Sequence, residues 1–241
     1  MVCNKGGSIK NNLGKMIEVK NLKRYYKSGE DTIKAIDGVS FVVENKEFVA
    51  LVGASGSGKT TLLRILGLID KPTDGQYSIN GLNVKDLQEN ERTYYRLTQL
   101  GYVFQDYALI NEMTALENIY VLSVMDGMSK LEAKKLAMEA LKKVGLAEKY
   151  NRVPNELSGG EKQRVAIARA ISKNPQILFA DEPCANLDTA NSQQILEVFV
   201  DLNKKYNQTI IMVTHEPWHV KYTNRIIKLK DGHIESDTKK K

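Results

Sequence analysis

Nine consecutive residues, Gly53-Ala54-Ser55-Gly56-Ser57-Gly58-Lys59-Thr60-Thr61, combine glycines, hydroxyls and one lysine in the pattern G-x-x-x-x-G-K-[ST]. This spacing suits phosphate chemistry. Gly53, Gly56 and Gly58 let the backbone curl with positive φ, so that successive N–H groups converge on phosphate oxygens. A helix starting after Gly58 turns its positive end to the same anion. Lys59 can then reach β- and γ-phosphates, and the Thr60 hydroxyl can ligate Mg²⁺. A second stretch, Ile177-Leu178-Phe179-Ala180-Asp181-Glu182, delivers two carboxylates at the end of an apolar run. Asp181 suits a metal-holding acid, and Glu182 the general base that polarises an attacking water. Together the two stretches predict a Mg²⁺-dependent nucleotide site.

The elements that must position these groups are visible in the hydrophobic pattern. Phe48–Val52 is a continuous apolar run, as expected of a strand buried on both faces, and Leu62, Leu63, Ile65 and Leu66 follow at helical spacing. Before it, Ile17-Glu18-Val19 and the stretch through Ile36, Val39, Phe41 and Val43 alternate, with a turn at Ser28–Asp31. This predicts an antiparallel sheet. Asn80-Gly81 marks a hairpin and Gly101–Phe104 a short strand ending at Gln105. Beyond it the period becomes helical, with capping-box spacing at Thr114/Glu117 and Ser129/Glu132. A strand–helix rhythm then returns: a helix over 161–171, the strand at 177–180, a helix over 192–205, the strand Ile210–Val213 and a hairpin turning at Asp231-Gly232.

Composition narrows the class. The 241 residues carry 42% hydrophobic side chains and no apolar run as long as a membrane span. A cytosolic location is expected, with any membrane role exercised through a partner. The net charge of +6 resides in the ends: Lys5, Lys10 and Lys15 supply +3 and Lys239, Lys240 and Lys241 another +3. The span between them is balanced, which argues against a nucleic-acid footprint. Two cysteines, Cys3 and Cys184, make neither a disulfide framework nor a metal cluster.

Leu157-Ser158-Gly159-Gly160-Glu161 places an N-cap serine before two glycines whose N–H groups open a helix, a second candidate anion site. Continued by Lys162-Gln163-Arg164-Val165-Ala166-Ile167-Ala168-Arg169-Ala170, it closely resembles the signature sequence of ABC-transporter ATPases. The resemblance runs from Met16 to Asp237. It implies a P-loop α/β core with an antiparallel β subdomain and an inserted α-helical subdomain near 106–165, within one ATP-binding domain over 16–238. Residues 1–15 are expected to be disordered and 239–241 to form a basic tail. Tyr26 resembles the aromatic that stacks on adenine, with Tyr25 a competitor. Gln105 resembles the glutamine that senses Mg²⁺ and the γ-phosphate and faces the membrane partner, Asp188 the loop aspartate that communicates across a dimer, and His215 the switch histidine at the γ-phosphate.

In that family Ser158, Gly159 and Gly160 complete the site of the opposite subunit, so ATP is expected between two chains arranged head to tail, most simply a homodimer. The implied partners are transmembrane permease subunits at the inner face of the membrane, with no nucleic acid. The combination of Asp70–Gly75, Thr114–Ile119 and Val213–Glu216 is similar to the branch serving lipoprotein release, macrolide and peptide export, cell-division-type complexes and antimicrobial-peptide resistance. A soluble ABC ATPase acting on DNA or the ribosome is the rival, although such chains usually carry coiled-coil insertions or a second cassette. Three positions depart from the pattern: Glu161 stands for the commoner Gln, Ala185 for Gly or Ser, and Cys184 for Thr or Ser. The last is expected to make the enzyme sensitive to thiol reagents. Leu109, Ile110 and Met113, too irregularly spaced to be all core, are expected to line a cleft for the membrane partner.

Overall fold

Two sheets share the work of positioning the site in the computed structural model, which describes residues 14–240. β1 (Lys15–Ser28), β2 (Asp31–Glu44), β4 (Asp74–Ile79) and β5 (Leu82–Asn83) form an antiparallel sheet in the order β2-β1-β4-β5. β3 (Phe48–Val52), β6 (Leu100–Val103), β7 (Ile177–Asp181), β8 (Thr209–Val213), β9 (Arg225–Lys230) and β10 (His233–Lys239) form the second, in the order β10-β9-β3-β8-β7-β6. There β3, β6, β7, β8 and β9 run parallel, and only β10 is antiparallel.

The continuous apolar strands follow from burial on both faces. Successive side chains of β7 point to opposite sides, Leu178 and Ala180 into one core and Ile177 and Phe179 into the other. Met212 and Val213 of β8 divide the same way. The second core joins the six-stranded sheet to the antiparallel sheet and to α1 (Lys59–Leu66). Leu62, Leu63, Ile65 and Leu66 are fully buried there, each worth ~1.5–3 kcal/mol of transfer free energy. The first core takes α3 (Ala115–Met125), α4 (Lys130–Lys143), α5 (Gly159–Ile171) and α6 (Thr189–Tyr206).

Several expectations are corrected. α2 (Glu89–Gln99) has no apolar stripe and buries only Arg92, so periodicity could not reveal it. Arg92 and Arg96 instead hold it in place by donating to the carbonyl of Leu68. The helical block extends past 165, because α5 runs to Ile171 against the sheet core. The expected disorder over 1–15 does not hold at Gly14, whose carbonyl accepts from the Asn45 N–H at 2.9 Å, nor at Lys15, which lies in β1 and bridges to Glu18 at 3.1 Å. The expected tail at 239–241 is not one at Lys239: it pairs with Arg225 in β10 and its Nζ bridges Glu44 and Glu47 at 3.0 and 2.8 Å. Lys240 continues the order through a bond from its N–H to the Asn224 carbonyl. Cys3 and the rest of the expected disordered stretch up to residue 13, with Lys241, lie outside the described residues. At Ser129 only half of the expected capping box forms, the serine accepting from Glu132 N–H at 3.3 Å, whereas Thr114 and Glu117 cap each other reciprocally.

Candidate active site

The C-terminal ends of three neighbouring strands, β3, β8 and β7, converge on one cavity, the usual address for a ligand in an open α/β sheet. After β3 the chain curls through Gly53 (φ +154°), Gly56 (φ +76°) and Gly58 (φ +99°). A Cβ on Gly53 would strike the Leu229 carbonyl, and one on Gly58 the Ala35 carbonyl. Gly56 is different: nothing lies within 4 Å of where its Cβ would stand, so the loop is open there to a ligand. α1 starts from Gly58 with no side-chain cap, leaving its first N–H groups facing the cavity mouth.

Lys59 is buried, and its Nζ donates to the carbonyls of Gly53 and Ala54 at 3.0 and 2.8 Å. Its partners are neutral carbonyls, which leaves its charge for an anion. Ser57 Oγ is buried with no hydrogen-bond partner, a polar atom in want of one. Ser55, Thr60 and Thr61 line the cavity with Lys59; Ala54 is exposed at the loop's outer side.

From β7, Asp181 accepts from Thr60 Oγ1 at 3.1 Å. Burial pushes its carboxyl above the ordinary range, with the Thr60 bond acting in the opposite sense. A hydroxyl and a carboxylate meeting beside a phosphate cradle are the hard oxygen donors Mg²⁺ prefers, with phosphate and water supplying the remainder. Among the described residues no group of three or more His, Cys, Asp or Glu is arranged to hold a metal, and these two oxygens suit a metal that arrives with a nucleotide.

Glu182 sits next along in a left-handed conformation, φ +44°, fixed by its N–H donating to the Val213 carbonyl at 3.1 Å. Non-glycine backbone in that region is strained and accumulates at functional sites. At the end of β8, His215 Nδ1 lies 3.2 Å from Glu182 Oε2. Asp231 and Gly232, at the β9–β10 turn, close the other side with Lys34 from β2, and the Gly232 N–H donates to the Ser57 carbonyl. Sequence reasoning missed Lys34, Asp231 and Gly232 as parts of the site. The Asp-Gly pair had signalled only a turn.

The remaining predicted residues stand elsewhere. Tyr26 does not line the cavity; it pairs across the strands with Ile33, which does, and the Arg24 guanidinium lies 4.4 Å from its ring centroid. Tyr25 is committed to Asp37 by a 2.5 Å hydrogen bond. The side chain of Gln105 is exposed outside the cavity, and its carbonyl accepts from Asn186 at 3.2 Å. Ser158 caps α5 reciprocally with Glu161, the serine accepting from Glu161 N–H at 3.2 Å and the carboxylate from Ser158 N–H at 2.9 Å. Ser158, Gly159, Gly160 and Asp188 are all absent from the lining of the phosphate-loop cavity of their own chain.

Cys184 stands against the expected thiol sensitivity. It is 5% exposed, its thiol donates to the Ser192 carbonyl, and burial pushes it up to about 12, away from the reactive thiolate. Leu109, Ile110 and Met113, expected to line a cleft, are absent from the lining of the apolar groove beside them, although Ile110 is exposed. The backbone at Ile110 and Met113 is held by the buried Asn118, and Leu109 packs on the core. That groove lies between α2 and α3, lined by Leu97, Phe104, Ile119 and Leu122.

Comparison with known proteins places this geometry. Residues 36–185 match the protein family described as ABC transporter. The chain is 44% identical over 225 residues to a macrolide export ATP-binding/permease protein, MacB, of Chlorobaculum tepidum, covering 93% of this chain and 34% of that protein. It is 44% identical over 219 residues to an uncharacterized ABC transporter ATP-binding protein, MJ1508, of Methanocaldococcus jannaschii, covering 91% and 97%. Among solved structures, the dimeric post-hydrolysis state of the ATP-binding cassette MJ0796 bound to ADP and Pi superposes with TM-score 0.85 at 40% identity, covering 94% of this chain and 99% of that one. The chain thus spans about a third of the length of the macrolide-export relatives it matches.

Proposed function

The chain belongs to the ABC transporter family, and from that membership we propose that it is the ATP-binding and ATP-hydrolysing subunit of a transporter, acting as a head-to-tail pair. The observation that carries this reading is the convergence of Lys59, Thr60, Asp181, Glu182 and His215 at the ends of three adjacent strands, while Ser158–Gly160 stand outside that cavity. A second copy, turned head to tail, brings its signature to face the first copy's phosphate loop.

Mg²⁺, when bound, neutralises phosphate charge, and Thr60 and Asp181 are the residues that would hold it. The chain's own groups do the rest. The α1 N-terminus and Lys59 bind the phosphate tail by charge and N–H donation. Glu182 orients the attacking water and takes its proton. His215, 3.2 Å away, holds the Glu182 carboxylate in place through Nδ1, and its Nε2, 3.4 Å from Glu216 Oε1, turns from that carboxylate to the γ-phosphate when nucleotide binds. Gln105 and Tyr26 are assigned to the γ-phosphate and the adenine, each needing movement of the loop or strand that carries it. Asp188 faces the partner copy.

No helix among the described residues is long and apolar enough to cross a membrane. We place the chain on the inner face of the membrane, held by permease subunits whose cytoplasmic segment seats in the groove at Phe104 and Leu122. The cargo is selected on those subunits.

Phosphate release from Mg²⁺–ATP, measured across a range of protein concentrations, tests the pairing. Turnover per chain is expected to rise with concentration until dimers saturate. Turnover independent of concentration, or absent, would remove the reading.

A further inference from the structure

Gly160 poses a question of its own. It is the second residue of α5 and its backbone is helical rather than left-handed, so conformation does not demand glycine. Alanine is the better helix former at such a position. The reason lies outside the helix: a Cβ on Gly160 would lie 2.6 Å from Asn191 Oδ1 and 3.1 Å from its Cγ. Asn191 is pinned from the other side. Its Nδ2 donates to Asp188 Oδ2 at 2.7 Å and its N–H to Asp188 Oδ1 at 2.8 Å, so both oxygens of one carboxylate hold one asparagine.

The same seam continues on both sides of this contact. A Cβ on Gly159 would meet Leu187 Cδ2 at 3.2 Å, and one turn further Arg164 donates to Gln194 Oε1 at 3.1 Å. The opening of α5 is therefore seated on the loop and first turns that lead into α6.

We infer that Asn191 is a positioning residue that fixes the signature helix to the Asp188 loop, and that Gly160 is a glycine because Asn191 fills the space its side chain would take. The consequence rests on the proposed function. Both Asp188 and the signature are offered to the opposite copy, and Asn191 makes them a single unit with a set spacing. When the pair closes, the N–H groups of Gly159 and Gly160 and the Asp188 carboxylate arrive together.

The test is a four-chain cycle of wild type, Gly160→Ala, Asn191→Ala and the double variant, each also carrying Glu182→Gln to hold ATP. Two quantities are read: the thermal midpoint without nucleotide, and ATP-driven association by sedimentation. Gly160→Ala is expected to lower the midpoint and weaken association about tenfold or more, by the clash with the Asn191 amide. Asn191→Ala is expected to keep ATP affinity of the single chain while weakening association several-fold. The double variant is expected to be no worse than Asn191→Ala alone, because the methyl added at position 160 then has room. Losses that multiply in the double variant, in either quantity, overturn the inference, as does an Asn191→Ala chain that associates like wild type. A parent chain that binds ATP without associating brings down the head-to-tail reading and the positioning role together. The midpoints still decide in that case whether Asn191 is what keeps residue 160 a glycine.

Discussion

The N-terminus of α1 and the N-terminus of α5 are both built to face an anion, and they are built differently. α1 opens from a left-handed glycine with no side-chain cap, beside a buried lysine and an unpartnered serine hydroxyl. α5 caps itself, Ser158 and Glu161 satisfying each other's backbone N–H. The first has nearly everything a triphosphate needs within one chain. The second keeps a hydroxyl proton and the N–H groups of two glycines, and the cation beside it, Lys149, is already turned to Glu161 at 3.5 Å. Half a site that folds stably without a ligand is what a surface needs if it is to meet the ligand on another copy. Glu161 fits this division, since its carboxylate, held below the usual range by the Ser158 N–H, already balances part of the α5 dipole.

Removing the strong half is the severest way to break the contrast. Lys59→Ala takes away the cavity's buried cation, and ATP binding to the single chain, followed by calorimetry, is expected to vanish. Near-normal affinity would mean that the phosphate sits elsewhere. Glu182→Gln leaves the cradle intact and removes the base, so ATP should still bind while hydrolysis slows ~10²–10⁴-fold. An unchanged rate would move the base to another residue.

Cys184 sharpens the picture of the wall behind the carboxylate. With the thiol pushed up to about 12, labelling of a Cys3→Ser chain at pH 8 should be roughly a thousandfold slower folded than unfolded. The sign follows for stability: the folded state keeps a proton that the unfolded state releases near pH 9, so this group costs stability as pH rises from about 9 to 12. Fast labelling of the native chain would show the loop after Glu182 to be open. The gentlest probe is Ser158→Ala, which should lower the stability of α5 by about 1 kcal/mol in denaturant unfolding, with ATP still bound at the chain's own phosphate loop. A chain that loses that ATP would join the two halves that the structure keeps apart.

What the sequence made legible was local in origin. The curl at Gly53–Gly58, the strand-end carboxylates and the Ser158 N-cap depend on residues within a few positions of one another. So do the buried strands, whose unbroken apolar runs record two cores at once. The misses depend on distance along the chain. Asp231, Gly232 and Lys34 wall the cavity only because β9 lies against β3 and β2 passes beneath the loop. Lys239 finds Glu44 and Glu47 across nearly 200 residues, and nothing near it in sequence marks it as anything but a tail. α2 escaped notice because arginines reaching carbonyls, rather than an apolar stripe, hold it down. Cys184 looked reactive from its motif; its burial comes from α6 folding over it.

The division of one site between two chains is tested most directly by sedimentation of the Glu182→Gln chain with and without Mg²⁺–ATP, alone and combined with Ser158→Arg. The Glu182→Gln chain is expected to be monomeric without nucleotide and dimeric with it, and the added arginine to hold it monomeric while ATP still occupies the phosphate loop. A Glu182→Gln chain that stays monomeric with ATP bound, or a dimer indifferent to Ser158→Arg, would show that the signature completes no neighbour's site.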